Sequence, residues 1–244
     1  MNKSLNNKYI ERQQIEITDF PNKKLPVVFC IDVSNSMNSR VPGTPFTVMD
    51  NLRKGVEGFH NAMVNDRKAS VSCQTAYITF GERVTVIEDF GLVKNKQAPI
   101  DKLIAKDNCT YIVDALKTSL AKLDEQKALL NGMKVDYHQP WLVIFTDGQT
   151  HDDDEKIKEI KNELLKRQRD EKLTVYTIAL SSDQEMYQQI RGYSMYKPIP
   201  YDENNIELSN FFNYLTRSVS GLSNGRITGR ISPFTQIDED PMLQ

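Results

Sequence analysis

Cysteine and histidine are scarce in this chain of 244 residues, which contains three of each. The cysteines, Cys30, Cys73 and Cys109, are odd in number and widely spaced, so they predict reduced thiols and not a disulfide framework. Zinc takes its ligands mainly from cysteine and histidine, and none of these residues has a suitably spaced partner. The sequence therefore argues against a disulfide-stapled fold and against a zinc site.

An excess of basic residues is also missing, because 31 Lys and Arg stand against 33 Asp and Glu, for a formal net charge of −2. Nucleic-acid binding depends largely on Lys and Arg side chains that neutralise phosphates, and no block of them stands out here. We therefore expect no nucleic-acid partner.

Long apolar runs are absent too. A membrane span needs about 20 apolar residues, and no stretch approaches that length. The opening MNKSLNNKYIERQQ lacks the apolar segment of a signal peptide. We expect no membrane association and a cytoplasmic location.

The chain does contain a regular alternation of strand-like and helix-like segments. Apolar runs rich in Val and Ile predict strands near 25–32, 70–80, 83–89, 140–146, 173–180 and 196–200. Apolar residues at three- and four-residue spacing predict helices near 47–65, 98–105, 111–129, 153–170, 184–191 and 206–220. The pattern indicates an α/β fold with a doubly wound, mostly parallel central sheet and helices on both faces.

The segment Gly81-Glu82-Arg83 separates the second and third predicted strands. It is too short for a crossover helix, so these strands should form an antiparallel hairpin at one edge of the sheet. Residues 1–23 form a polar lead-in, 24–220 a single domain and 221–244 a tail rich in Gly, Ser, Pro and charge. The tail is predicted to be either disordered or an arm that orders on a partner.

Two predicted strands end in a carboxylate. The apolar run from 25 to 31 ends at Asp32, and the run from 141 to 145 ends just before Asp147. Open α/β sheets place their ligands at the carboxyl ends of the strands, so both aspartates are expected at one edge.

Hydroxyl groups flank these carboxylates in the predicted loops. Ser34 and Ser36 follow Asp32 at alternate positions, and Thr110 precedes the helix predicted at 111–129, where it is read as the N-cap. The apolar face of that helix is predicted to consist of Ile112, Ala115, Leu116, Leu120 and Leu123.

Each of these polar residues alone would be explained by capping or turn formation. As a set of two carboxylates and three hydroxyls, they predict a site for a hard divalent cation, Mg²⁺ or alternatively Mn²⁺ or Ca²⁺. The predicted metal ligands are Asp32, Ser34, Ser36, Thr110 and Asp147.

The motifs Asp32-Val33-Ser34-Asn35-Ser36, Thr110 and Thr146-Asp147-Gly148 resemble, in order, the DxSxS, Thr and TDG elements of the metal-ion-dependent adhesion site of von Willebrand factor A (vWA) domains. The resemblance covers about residues 24–220. The family usually has Gly where this chain has Asn35, and Gly-Gly where it has Asn108-Cys109. Asn tolerates positive φ, so both loops can still turn.

Within the family, the chain is similar to the bacterial TerY-type proteins. The likeness lies in Leu25-Pro26-Val27, in Asp152 following the TDG element, and in Phe211-Phe212-Asn213-Tyr214-Leu215 with Ser218-Val219-Ser220 near the end of the predicted domain. It implies a tellurite-resistance or stress-response setting, in company with a protein kinase and a PP2C-type phosphatase.

The vWA resemblance implies a protein-binding module without enzymatic activity, whose metal ion takes its last ligand from an acidic side chain of the partner. The expected interface is the rim formed by 34–43, 108–111 and 148–153. One alternative is a metal-dependent phosphoesterase or other hydrolase that uses Asp32 and Asp147. Another is a structural module whose metal loops no longer bind an ion.

Four further features are left open by the sequence. His151 and Asp152 either serve the metal loops or have local structural roles. Cys109 is either a regulatory thiol or a packed side chain. Tyr193, Tyr196 and Tyr201, with Pro198 and Pro200, form either a partner-facing patch or the packing of the last strand.

Overall fold

The computed structural model describes residues 22–181, 183–200, 206–227 and 234–235. Most of the predicted lead-in and most of the predicted tail lie outside these residues. The strands are β1 (Leu25–Asp32), β2 (Cys73–Phe80), β3 (Thr85–Leu92), β4 (Trp141–Thr146) and β5 (Thr174–Ala179). The helices are α1 (Val48–Asn65), α2 (Ala69–Ser72), α3 (Ile112–Gly132), α4 (Asp154–Arg169), α5 (Gln184–Ile190) and α6 (Ile206–Ser223).

The five strands form one sheet in the order β3-β2-β1-β4-β5. β1 pairs in parallel with both β2 and β4, and β4 pairs in parallel with β5. β3 is antiparallel to β2, which confirms the predicted hairpin at the sheet edge. The predicted α/β fold class, with a mostly parallel sheet and one antiparallel edge strand, is therefore correct.

Each face of the sheet is covered by helices. Phe29 and Ile31 of β1 pack in the core beneath α1 and α6, whereas Val28 and Cys30 point to the core beneath α3 and α4. Every residue of β1 and β4 is buried, as expected for central parallel strands. The predicted apolar face of α3 is also buried throughout.

Two predicted elements are wrong. The helix predicted at 98–105 is a single 3₁₀ turn, Ile100–Lys102. It goes no further because the N–H groups of Lys106 and Asp107, which would close the next helical turn, donate instead to the carbonyl of Val33, at 2.9 and 3.2 Å. The strand predicted at 196–200 is reduced near its end to an isolated bridge between Ile178 and Ile199, since the flanking prolines have no N–H to donate.

The start of β2 also differs from the prediction. Residues 70–72 belong to the short helix α2, so the strand begins at Cys73 and not at residue 70. The cause is local, because Asp66 Oδ1 accepts the backbone N–H groups of Lys68 and Ala69, both at 3.0 Å, and holds the chain in a helical turn.

The last helix, α6, runs to Ser223, three residues beyond its predicted end. Of the tail that follows, Phe234 and Thr235 lie against the body of the protein. The Phe234 ring centroid is 5.8 Å from that of Phe211 and 5.2 Å from that of Tyr214. Thr235 Oγ1 donates a 2.8 Å hydrogen bond to the carbonyl of Lys197. No helix within the described ranges is long and apolar enough to cross a membrane.

Candidate metal site

The first carboxylate of the candidate site stands at the end of a fully buried strand. Asp32 is the last residue of β1 and has no exposed surface. Its Oδ1 accepts the backbone N–H of Ser34 at 2.8 Å, and its Oδ2 accepts the hydroxyl of Thr146 at 3.0 Å. These contacts fix the orientation of the carboxylate at the end of the strand.

The second carboxylate, Asp147, follows directly after the end of β4 and is 6% exposed. Its Oδ1 accepts the N–H of Gln149 at 3.0 Å, in a local turn. The Asp147 charge is close enough to act on Asp32. Burial first, and the Asp147 charge second, raise the pKa of Asp32 to about 7 against the hydrogen bonds from Ser34 and Thr146.

The serine hydroxyls lie beside these carboxylates. Ser34 Oγ is 2.9 Å from Ser36 Oγ, so the two share a hydrogen bond. The loop turns through the 3₁₀ segment Asn35–Asn38. Among the described residues, Lys134 and Glu171 are the non-glycine positions with positive φ. Asn35 and Asn108 therefore do not use the tolerance for positive φ that the sequence suggested, because the 3₁₀ turn and neighbouring loops shape the backbone instead.

The loop that carries the serines is fixed by a second loop. Asn35 N–H donates to the carbonyl of Asp107 at 2.6 Å, and Lys106 N–H donates to the carbonyl of Val33 at 2.9 Å. Asp107 Oδ2 in turn accepts the N–H of Glu82 at 3.0 Å. A Cβ on Gly81 would lie 2.3 Å from Asp107 Oδ2, so glycine is needed there for this approach.

Thr110 lies on the loop before α3 and is buried. Its N–H donates to His151 Nδ1 at 3.1 Å, and its carbonyl accepts the N–H of His151 at 2.8 Å. These contacts bind the Thr110 loop to the loop that follows Asp147. The Thr110 hydroxyl makes no hydrogen bond within the described part of the chain, so it is available as a ligand.

The prediction that Thr110 is the N-cap of α3 is wrong. The N-cap position is Tyr111, whose side chain makes no capping hydrogen bond. The cap comes from Asp152, whose Oδ2 accepts the N–H groups of Ile112 at 2.7 Å and Val113 at 3.1 Å. A carboxylate also suits the positive end of the helix dipole.

A model of the von Willebrand factor type A domain matches residues 27–213, which is most of the chain. The chain belongs to the von Willebrand factor type A family. A search of curated proteins found no match.

Solved structures with this fold are similar in shape but distant in sequence. The PilB minor pilin from Streptococcus sanguinis gives a TM-score of 0.59 at 14% identity, over 82% of this chain and 62% of that one. The VWA domain of SpRpn10 gives 0.55 at 13% identity, over 79% of this chain and 95% of that one. BatB from Bacteroides thetaiotaomicron gives 0.54 at 13% identity, over 82% and 99%. This chain spans less than two thirds of the PilB chain, and at these identities the likenesses show the fold alone.

The donor set of this vWA domain fits a hard cation. No three His, Cys, Asp or Glu side chains cluster as metal ligands among the described residues. The candidate donors are two carboxylates and three neutral hydroxyls. This set suits a divalent ion that keeps one coordination position open. Asp32 supports the fit, because it is a buried carboxylate beside a second one, with no described Lys, Arg or His paired to it.

Sequence reasoning missed how two residues support the site. Thr146 belongs to the TDG element but is not among the predicted ligands, and its hydroxyl donates to Asp32. Asp152, whose role the sequence leaves open, caps α3 with its carboxylate. The Thr-x-Asp spacing of Thr150 and Asp152, linked by a 2.8 Å hydrogen bond, was the available local signal.

The two described tyrosines of the open patch have a structural role, whereas the alternatives for Cys109 stay as predicted. Tyr193 is buried, and Tyr196 stacks on Tyr176 with ring centroids 5.9 Å apart, so both belong to the packing beside β5. Tyr201 lies outside the described residues. All three cysteines are unpaired, and Cys109 is half-buried.

Asp152→Ala should destabilise the fold by about 1–2 kcal/mol, because it leaves two helix N–H groups without their cap and frees the Thr150 hydroxyl. This corresponds to a fall in melting temperature of about 2–8 °C for a domain of this size. Asp153→Ala is the matched control, since Asp153 is exposed and its carboxylate only pairs with Lys156 at the surface. Equal thermal shifts in the two variants would contradict the assigned cap.

Proposed function

We propose that this vWA domain is a metal-ion-dependent protein-binding module. The observation that carries the proposal is the pair of buried carboxylates, Asp32 and Asp147, at the carboxyl ends of β1 and β4, with the hydroxyls of Ser34 and Ser36 alongside. Asp32, Ser34, Ser36, Thr110 and Asp147 would hold a divalent cation, with Mg²⁺ as the expected ion and Mn²⁺ or Ca²⁺ as alternatives. The cation would supply positive charge and an open position for an acidic side chain of a partner protein.

The surroundings of the site support a partner surface. Four large apolar side chains are exposed among the described residues, and three of them, Phe46, Ile104 and Tyr111, lie on loops at the metal edge of the sheet. Only Val64 lies elsewhere, near the end of α1. Exposed apolar groups concentrated on one edge are typical of an interaction surface.

We further propose that the domain is not an enzyme. Catalysis needs a base or nucleophile within reach of bound substrate. His151, the histidine adjoining the site, uses Nδ1 to accept the Thr110 N–H and so holds the loop. We also propose the narrower assignment to a TerY-type stress-response system, with a kinase and a PP2C-type phosphatase as partners. This assignment rests only on the short sequence motifs shared with the TerY-type proteins. The cytoplasmic location is proposed on the three unpaired cysteines.

The test is capture of partners from the native host with the purified protein as bait, in Mg²⁺ and in EDTA, with Asp147→Ala as the matched bait. Proteins held only by the wild type in Mg²⁺ are then purified and titrated. We expect chelation to dissociate the complex while both proteins remain folded. Binding that is undiminished in EDTA and in the variant would reject the proposal. Metal-dependent hydrolysis of p-nitrophenyl phosphate that is lost in Asp32→Ala would favour the phosphoesterase instead.

A further inference from the structure

A groove of about 360 Å³ adjoins the metal site on the side of the edge strand β3. We call it the β3 groove. It runs between the start of β3 and the loop 102–107, and Val33 and Asp107 form the wall that it shares with the metal loop. Val33 lies between the predicted ligands Asp32 and Ser34, so a peptide leaving the metal site on this side would enter the groove directly.

The lining of the groove has one more basic side chain than acidic ones. Arg83, Lys102 and Lys106 line it. Lys102 is engaged by Glu88, at 3.4 Å, and by the carbonyl of Ile87, at 2.9 Å. Arg83 and Lys106 are exposed, and their side chains form no ion pair within the described ranges. Two cations are therefore free to meet an incoming charge.

The acidic side chains of the groove are already committed. Asp107 Oδ2 accepts the N–H of Glu82 at 3.0 Å. Glu82 Oε1 accepts the N–H of Asn108 at 3.3 Å. These hydrogen bonds hold both carboxylates against the backbone of the wall without removing their charge. The lining still has three cations against two carboxylates, and this positive balance favours an anionic occupant.

The groove also presents an apolar contact. Ile104 is 51% exposed, the largest exposed fraction among the four exposed large apolar side chains. Strand addition at this edge is obstructed, because Lys102 Nζ occupies the Ile87 carbonyl of β3. A partner would therefore contact the groove through its side chains and not as an added strand.

We propose that the β3 groove binds an extended acidic segment of the protein partner, next to the residue that completes the metal shell. An apolar side chain of the segment would pack on Ile104, and carboxylates would pair with Arg83 and Lys106. This inference rests on the proposed function, and it adds the chemistry of the partner and the direction in which its chain leaves the metal.

The test uses a random dodecapeptide library displayed on phage, selected on the full-length protein in Mg²⁺. Enriched peptides are synthesised and their affinities measured by fluorescence anisotropy. We expect the enriched sequences to contain one acidic residue that contributes to affinity only in the presence of Mg²⁺. A second acidic residue should lie a few positions away, next to an apolar residue. Arg83→Glu combined with Lys106→Glu should weaken their binding by about tenfold or more, because two attractive charge contacts become repulsive.

Matched controls separate the groove from general effects of charge. Lys117→Glu combined with Lys158→Glu changes the net charge equally on the exposed faces of α3 and α4, and it should leave affinity unchanged. Ile104→Ser should weaken binding, and Val64→Ser, an equivalent change at the end of α1, should not. All the substituted side chains are exposed, so thermal unfolding should show intact folds.

The outcomes distinguish the two proposals. Peptides that require Mg²⁺ but bind the Arg83→Glu, Lys106→Glu variant with unchanged affinity would contradict the groove proposal. They would still support metal-dependent protein binding. Peptides that depend on Arg83 and Lys106 but are indifferent to EDTA and to Asp147→Ala would support the groove and reject the metal-dependent function. A library that yields no binder, or only binders without acidic residues, would overturn the groove proposal.

Discussion

Asp32→Asn is expected to raise the melting temperature of the metal-free protein and to abolish its increase on addition of Mg²⁺. The wild-type carboxylate is fully buried beside the charge of Asp147. Asparagine has nearly the same shape. It can still accept the Ser34 N–H through Oδ1 and can donate to the Thr146 hydroxyl through Nδ2, so the substitution removes the charge and keeps both contacts.

An uncompensated buried charge costs several kcal/mol, and the hydrogen bonds from Ser34 and Thr146 to Asp32 offset part of that cost. We expect a gain of about 2 kcal/mol in Asp32→Asn, or about 4–8 °C in melting temperature for a domain of this size. The wild type should instead gain about 2.7 kcal/mol from Mg²⁺ at a hundredfold excess over its Kd, because the ligands are not assembled in the unfolded chain.

Differential scanning calorimetry at a pH above the pKa of Asp32, with EDTA and with Mg²⁺, measures both effects. Asp32→Ala is the control, since it removes the charge together with both hydrogen bonds and should lose the Mg²⁺ response without the same gain in stability. A wild-type response to Mg²⁺ in Asp32→Asn would exclude Asp32 as a ligand. A metal-free variant less stable than the wild type would show that its charge is already compensated.

Gly148→Ala should destabilise the protein by about 3 kcal/mol or more, a fall of about 6–12 °C in melting temperature. Gly148 has a φ of +99°, which side chains rarely adopt. A Cβ there would also lie 2.5 Å from the backbone oxygen of Met186 in α5. Displacing a backbone atom of a packed helix is energetically costly. The loop after Asp147 would therefore have to shift instead.

Gly43→Ala is the matched control. Gly43 also has positive φ, +71°, but a Cβ there would meet nothing within 4 Å. It should cost only about 1 kcal/mol, the conformational part alone. Chemical denaturation of the two variants isolates the steric contribution. Equal losses would show that the contact with Met186 is unimportant, and an unchanged Mg²⁺ response in a folded Gly148→Ala would show that the shift does not reach Asp147.

Local pattern was enough to predict most of the fold. The apolar runs that end at Asp32 and Thr146 are buried on both faces of the sheet, which is the arrangement that produces unbroken hydrophobic sequence in parallel strands. The short connection between β2 and β3 predicted an antiparallel edge because no crossover helix fits into it. The predictions failed at 98–105 and 196–200, where backbone hydrogen bonds to Val33 and the missing N–H groups of two prolines override the local periodicity.

The positions of the candidate ligands followed from the same logic. Residues at the carboxyl ends of neighbouring parallel strands share an edge, so Asp32 and Asp147 had to lie near each other once both strands were placed. The adjacent serines followed from chain continuity. The hydrogen bonds that hold the loops of the site together could not be predicted in this way, because they join loops that are far apart in the sequence.

The sequence by itself determined the strand-ending carboxylates, the hydroxyls beside them and the amphipathic helix faces, since each depends on residues within a few positions of one another. Only the tertiary structure decided that Asp152 caps α3 from 40 residues away, that Asp107 joins the metal loop to Glu82, and that Arg83 and Lys106 line one groove beside the site. Such contacts form only when loops that are distant in the sequence come together in the folded protein. Local periodicity cannot predict them.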